Sequence, residues 1–162
     1  KLETVFPLSN MVLFDPEGKL KKYSSPQEII IDFYFVRLKY YRLRKDSIIE
    51  KLSNEITLLK NKCRFIKMIN KNELEISKKT KDEIINILID LQFDPILSSQ
   101  GSPYDYLLNI PISNLSIDNV EKLEKQLNEK EKLLNEIQEK DVKEMWKEDL
   151  LRLRDELIKQ LN

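Results

Sequence analysis

Two adjacent tyrosines followed by an arginine, Tyr40-Tyr41-Arg42, are the place in this 162-residue chain where residue type and spacing come nearest to covalent chemistry. A tyrosine hydroxyl can attack phosphorus, and a neighbouring cation can stabilise the charge that develops on the phosphoryl oxygens, so the chemistry would be a transesterification. These tyrosines fall on an apolar stripe of helical spacing, however, and packing is the simpler reading. The acidic groupings Glu129-Lys130-Glu131 and Glu148-Asp149 have the oxygens a magnesium ion takes, yet at helical spacing they read as solvated faces. With no His and one Cys, the Ser-His, Cys-His and His-ligated metal arrangements are all excluded. Two glycines, Gly18 and Gly101, are too few for a Gly-rich phosphate cradle. Cys63 reads as a small buried thiol in a reduced compartment. No catalytic, cofactor-binding or metal-ligating residue is assigned, and the chain alone is expected to be inactive.

What remains is binding, and binding needs elements to carry it. The charges balance at 28 of each sign, so no global field announces a polyanionic partner, while 35% charged with 41% hydrophobic residues is the composition of long exposed helices. No apolar run approaches the roughly 18 residues of a membrane span, no signal-peptide core is visible, and an intracellular location without membrane partners is expected. The first residue is Lys1 in an apparent strand, so the chain is read as an excerpt of something longer. Alanine is absent while Lys, Ile, Asn and Leu abound, the bias of an AT-rich coding sequence.

The organising element is a helix from Pro26 to about Asn70. Ser25 is a good N-cap, Pro26 suits the first helical position, and Glu28 completes a capping box. Apolar residues recur at Ile29, Phe33, Val36, Tyr40 and Leu43, then at Ile48, Leu52, Ile56, Leu59, Cys63 and Ile66, one stripe whose phase slips around Arg44 to Ser47. Such a helix is roughly 65 Å long and must find a partner along its length. Residues 1–24 precede it as a base segment: Leu2, Thr4 and Phe6 alternate, and Met11–Phe14 and Lys19–Tyr23 flank the turn Asp15-Pro16-Glu17-Gly18 as a hairpin.

Beyond the long helix, residues 71–115 read as a small globular tip. Glu73 to Ile76 alternates like a short strand, and Thr80 with Glu83 opens a helix to about Leu91 that is apolar on more than one side. Ser102, Pro103 and Asp105 start another, which Pro111 ends. Ser116 caps a return helix over 116–140 with Val120, Leu123, Leu127, Leu134 and Ile137, where Lys130 occupies a position expected to be apolar. Arg37 to Lys81 holds fourteen basic and five acidic residues, Asp118 to Asp149 seven and eleven, so opposite fields favour antiparallel docking of the two helices. A last helix over 141–162 carries Met145, Trp146, Leu150, Leu153 and Leu157. The fold class is mainly α: a long antiparallel two-helix coiled-coil arm with a small helical tip and a short β-hairpin at its base.

Several stretches resemble a known family in order and spacing. They are Ser9-Asn10-Met11-Val12-Leu13-Phe14-Asp15, Gly18-Lys19-Leu20-Lys21-Lys22-Tyr23, Arg37 to Lys45, Tyr106-Leu107-Leu108-Asn109-Ile110-Pro111 and Trp146-Lys147-Glu148-Asp149-Leu150. Together they resemble eukaryotic-type type IIA DNA topoisomerases, in the region after the breakage-reunion core. The resemblance implies a coiled-coil arm whose tip dimerises as an exit gate, or C-gate, in an ATP-dependent nuclear enzyme. It further implies that the parent uses ATP and Mg2+ through other domains, that its nucleophilic tyrosine lies upstream, and that double-stranded DNA is its partner. Family members often carry a long acidic insertion where this chain has only Ile96 to Pro103.

Two candidate surfaces follow. Ile84, Ile87, Leu88, Leu91, Tyr106, Leu107 and Leu108 offer more apolar surface than a small tip can cover, and are the expected homodimer interface. Arg37, Lys39, Arg42, Arg44 and Lys45 are either a solvated basic face or, since the family's arms enclose the cavity a transported duplex crosses, contacts to the DNA backbone. The competing reading is a free-standing coiled-coil adaptor that binds protein partners through its apolar tip.

Overall fold

The computed structural model describes residues 10–96 and 101–161. The alternation at Leu2, Thr4 and Phe6 and the middle of the Ile96 to Pro103 loop lie outside them. The described chain is mainly helical, with strands β1 (Met11–Phe14) and β2 (Leu20–Tyr23) and helices α1 (Pro26–Asn70), α2 (Lys81–Asp90), α3 (Asp105–Leu108), α4 (Ile117–Glu139) and α5 (Val142–Leu161). It forms two compact units, residues 1–47 with 140–162 and residues 48–139, divided inside α1 where its apolar stripe changes phase.

In the first unit, β1 and β2 pair antiparallel with Met11 opposite Tyr23 and Phe14 opposite Leu20. The turn between them is held by Asp15, whose side chain accepts the N–H groups of Glu17 and Lys19, and Gly18 takes φ +79°, where a side chain would be strained. The hairpin is fastened to α1 through Asp32, which accepts hydrogen bonds from Lys21 Nζ at 2.7 Å and the Tyr23 hydroxyl at 3.1 Å. The Lys21 ammonium foremost, and the Tyr23 hydroxyl, hold the Asp32 carboxyl below its ordinary range. α1 begins as the capping residues require, with one change of partner: the Ser25 hydroxyl accepts the Glu28 N–H, but the Glu28 carboxylate takes the N–H of Ser24.

In the second unit, the C-terminal half of α1 buries Leu52, Ile56, Leu59, Cys63 and Ile66, and α4 buries Val120. The two helices run in opposite senses, joined by the ion pairs Lys60–Glu131, Lys67–Glu124 and Lys130–Glu55. Lys130 interrupts the apolar seam because its ammonium reaches out to Glu55. Around the end of α1 a separate core forms from Phe65, Leu74, Leu88, Phe93, Tyr104 and Leu107. Residues 73–76 are not a strand. Asn72 takes φ 57°, ending the helix in a left-handed turn, and Leu74 and Ile76 then pack on the tip core with no strand beside them. The Thr80 capping box is formed in full, each side chain bonding the other residue's N–H. The Ser116 hydroxyl accepts the Asn119 N–H at the start of α4.

Candidate functional site

The tip is built by three segments converging on the last turns of α1. The buried amide of Asn61, 5% exposed, donates to Asp94 Oδ2 at 3.1 Å. The Tyr106 hydroxyl donates to the Asp94 carbonyl at 2.8 Å, and the Arg64 guanidinium to the Leu91 carbonyl at 2.8 Å. Burial pushes the Tyr106 phenol up to about 12, so it stays a donor at every physiological pH. The loop before α3 is held by Asp105, which accepts the Ser102 N–H at 2.9 Å and stands 2.8 Å from Lys81 Nζ. Lys81 first, then the Ser102 N–H, hold its carboxyl below the usual range. Gly101, at φ +108°, faces this carboxylate so closely that a Cβ would lie 2.3 Å from Asp105 Oδ2.

These contacts decide which apolar residues have surface left to offer. Leu88 and Leu107 do not: they are 0% and 1% exposed, inside the tip's own core, so the expectation that they form an interface is corrected. The α2 stripe at Ile84, Leu88 and Leu91 turns its centre inward and leaves Ile84, Ile87 and Leu91 half-buried at its flanks, with Tyr106 and Leu108 half-buried beside them. Sequence reasoning missed the most exposed apolar residues of this unit, Ile89 at 52%, Ile112 at 87% and Ile117 at 69%. Ile112 opens a 3-10 turn, Ile112–Asn114, and the signal for it was the Pro111 that ends α3.

The basic cluster sits in the other unit, and part of it is already engaged. Arg44 pairs with Asp149 of α5, Lys45 Nζ donates to the Lys140 carbonyl at 2.8 Å, and the Arg37 guanidinium lies 5.2 Å over the Tyr41 ring. Lys39 and Arg42 are exposed. Tyr41 is 4% exposed, its ring stacked 5.7 Å from Trp146 and its hydroxyl donating to Asp149 at 2.8 Å. Burial first, and then the bond to Asp149, push this phenol above its ordinary value, the reverse of what a nucleophile needs. Tyr41 is a packing residue that fastens α5 to α1, and Tyr34 stacks on the same indole at 5.4 Å.

Asp149 makes that fastening sensitive to acid. Arg44 foremost, and the Tyr41 hydroxyl, hold its carboxyl below the ordinary range. A depressed carboxylate stabilises the folded form fully above the unfolded value of about 4, and the contribution is lost as pH falls through the lower folded value. The fluorescence of Trp146, the sole tryptophan, should therefore be constant from pH 7 down to about 5 and report loosening of α5 below about 4. In Asp149→Asn that acid-side transition should disappear; its persistence would assign the change to another carboxylate.

Among the described residues no group of three or more Cys, Asp or Glu side chains is placed to hold a metal ion, so the magnesium expected of the parent has no fitting donor set here. No described helix is long and apolar enough to cross a membrane.

Comparison with known proteins shows what this arrangement is similar to. Residues 1–151 match the DNA gyrase/topoisomerase IV family, in its A-type polypeptide. DNA topoisomerase 2 of Meyerozyma guilliermondii is 33% identical over 93% of this chain and 14% of its own length. DNA topoisomerase 2-alpha of Gallus gallus is 35% identical over 97% of the chain and 12% of its own. The solved topoisomerase II DNA-binding, cleavage and re-ligation domain of Plasmodium falciparum superposes with a TM-score of 0.85 at 34% identity, covering 98% of this chain and 24% of that one. The chain thus spans about one seventh of the length of these curated relatives.

Proposed function

Because the chain belongs to the type IIA DNA topoisomerases, of the topoisomerase II kind, we propose that it is the exit-gate segment of such an enzyme, a two-helix arm whose tip meets its copy and reopens to release a passed duplex. The observation that carries this reading is the family match over nearly the whole chain combined with a tip that keeps exposed isoleucines after its own core is filled. The parent enzyme would cleave one duplex and pass another through it using ATP and Mg2+ held elsewhere, in the nucleus, with double-stranded DNA as its partner. The segment itself would supply no catalytic residue. Its contact with a second copy would be isologous, because a symmetric dimer presents one patch twice, and modest, because it must open. Ile112, Ile117 and Ile89, flanked by Ile84, Ile87, Leu91, Tyr106 and Leu108, are the residues we assign to it. Lys39, Arg42 and Arg37 would give a salt-dependent, sequence-independent contact with the phosphate backbone.

Sedimentation equilibrium tests the gate. Ile112→Asp places a carboxylate twice in the two-fold contact, where each unpaired buried charge costs several kcal/mol, and should weaken dimerisation at least tenfold while helicity is unchanged. Lys60→Asp, on the ion-paired face toward α4, should leave the association constant within about threefold of the parent chain. An Ile112→Asp chain that dimerises as tightly as the unaltered one overturns the assignment of the interface.

A further inference from the structure

A helix that is apolar on every side is stable only when other structure surrounds it. Between Ile29 and Tyr41, α1 is such a helix. Tyr41 is covered by Trp146, yet Ile30, Ile31, Phe33 and Phe35, which point in different directions, are 54% to 64% exposed. The hairpin continues this surface. By the alternation of the pleat, Phe14 and Leu20 share the face opposite Tyr23, and they are 70% and 72% exposed.

The hairpin also has an open edge. The Asp15 N–H donates to the Lys19 carbonyl at 2.8 Å. Alternation along an antiparallel ladder then turns the N–H and C=O groups of Val12 and Phe14 outward. Among the described residues the sheet has two strands, and no backbone hydrogen bond from outside the hairpin reaches that edge. The β2 edge is guarded by Lys21 and Lys22, whereas β1 reads Met-Val-Leu-Phe without a charge. Two strands alone are marginal in water.

We propose that this hairpin is the rim of a larger sheet, and that its occupant is an uncharged, extended segment of the same parent polypeptide lying outside these 162 residues. That segment pairs with the open edge of β1 and brings apolar side chains over Phe14, Leu20 and the α1 phenylalanines. The occupant is assigned to the parent because the curated relatives are about seven times longer than the stretch they share with this chain, and because the solved Plasmodium relative keeps the same fold within a chain four times as long. The inference rests on family membership and is independent of the gate.

Hydroxyl-radical footprinting of the 162-residue chain and of the full-length parent tests it. Phe14, Leu20 and Phe35 should be oxidised about tenfold more slowly in the parent, and the Val12 and Phe14 amides should exchange with solvent more slowly by a similar factor. Equal rates in the two proteins overturn the proposal. So does protection that appears in the isolated chain as its concentration rises, which would make the occupant a second copy. Failure of the gate would be read separately, at Ile112, and would leave these positions unchanged.

Discussion

Leu88→Asp should unfold the tip rather than release a folded monomer. Leu88 has no exposed surface and packs with Phe65, Leu74, Phe93, Tyr104 and Leu107, so even truncation to alanine should remove about 2–5 kcal/mol. A carboxylate there has no partner to meet: the nearby acceptors, the carbonyls of Leu91, Phe93 and Asp94, are taken by Arg64, Tyr104 and Tyr106 and would repel it. Urea unfolding followed by circular dichroism should lose the stability of the second unit almost entirely, because the variant's cost approaches the whole stability of a small domain. Ile89→Asp, one residue further round α2 and 52% exposed, should change stability by less than about 0.5 kcal/mol. Equal unfolding midpoints for the two variants would mean that α2 is rotated from its described orientation.

Trp146→Ala should release α5 from α1 while the helix itself persists. The indole lies between the rings of Tyr34 and Tyr41, with Phe33 edge-on at 6.3 Å, so truncation removes three aromatic contacts at once. Loss of such a side chain costs about 3–5 kcal/mol when fully buried, and less in proportion to the exposure of this half-buried one. The remaining ties are the Asp149 contacts to Arg44 and the Tyr41 hydroxyl and the bond from Lys45 to the Lys140 carbonyl. They are partly exposed, and ion pairs of that kind contribute under about 1 kcal/mol each. Amide hydrogen exchange over Val142–Leu161 should therefore accelerate at least tenfold, with α4 unaffected. Unchanged protection in α5 would show that the ion pairs, not the aromatic stack, hold it.

How much of this was legible follows from the kind of signal each element carries. α1 could be bounded because Ser25, Pro26 and Glu28 mark its start by local chemistry and no Gly or Pro interrupts it, while α2 and α4 announce themselves through Thr80 and Ser116. Residues 73–76 misled because a period of two over four residues is also what a loop shows when two of its side chains happen to face a core. The interface residues misled for a related reason. Sequence says that α2 is apolar on more than one side, but which side faces its own core depends on Phe65 and Phe93, brought together by the chain turn between them. Asn61 was invisible, since its partner Asp94 lies 33 residues away and neither residue is distinctive alone. The basic cluster was read as one unit because its members are adjacent in sequence. Asp149, more than 100 residues further on, is what separates Arg44 from Arg42.

The ion pairs of the second unit differ in how well they measure alignment. Lys60 and Lys67 are one heptad apart, and so are their partners Glu131 and Glu124, so α4 could slide by seven residues in either direction and still bring a lysine of this set opposite a glutamate. Those two pairs are blind to the most tempting mistake available to a heptad seam. Lys130 is not blind. Set against Glu55 in the native alignment, it would meet Lys62 after a slide one way and Ile48 after a slide the other, a repulsion or a stranded ammonium. One hydrophilic residue in the seam, weak as a source of stability, acts as the vernier that tells the return helix where along its partner it belongs.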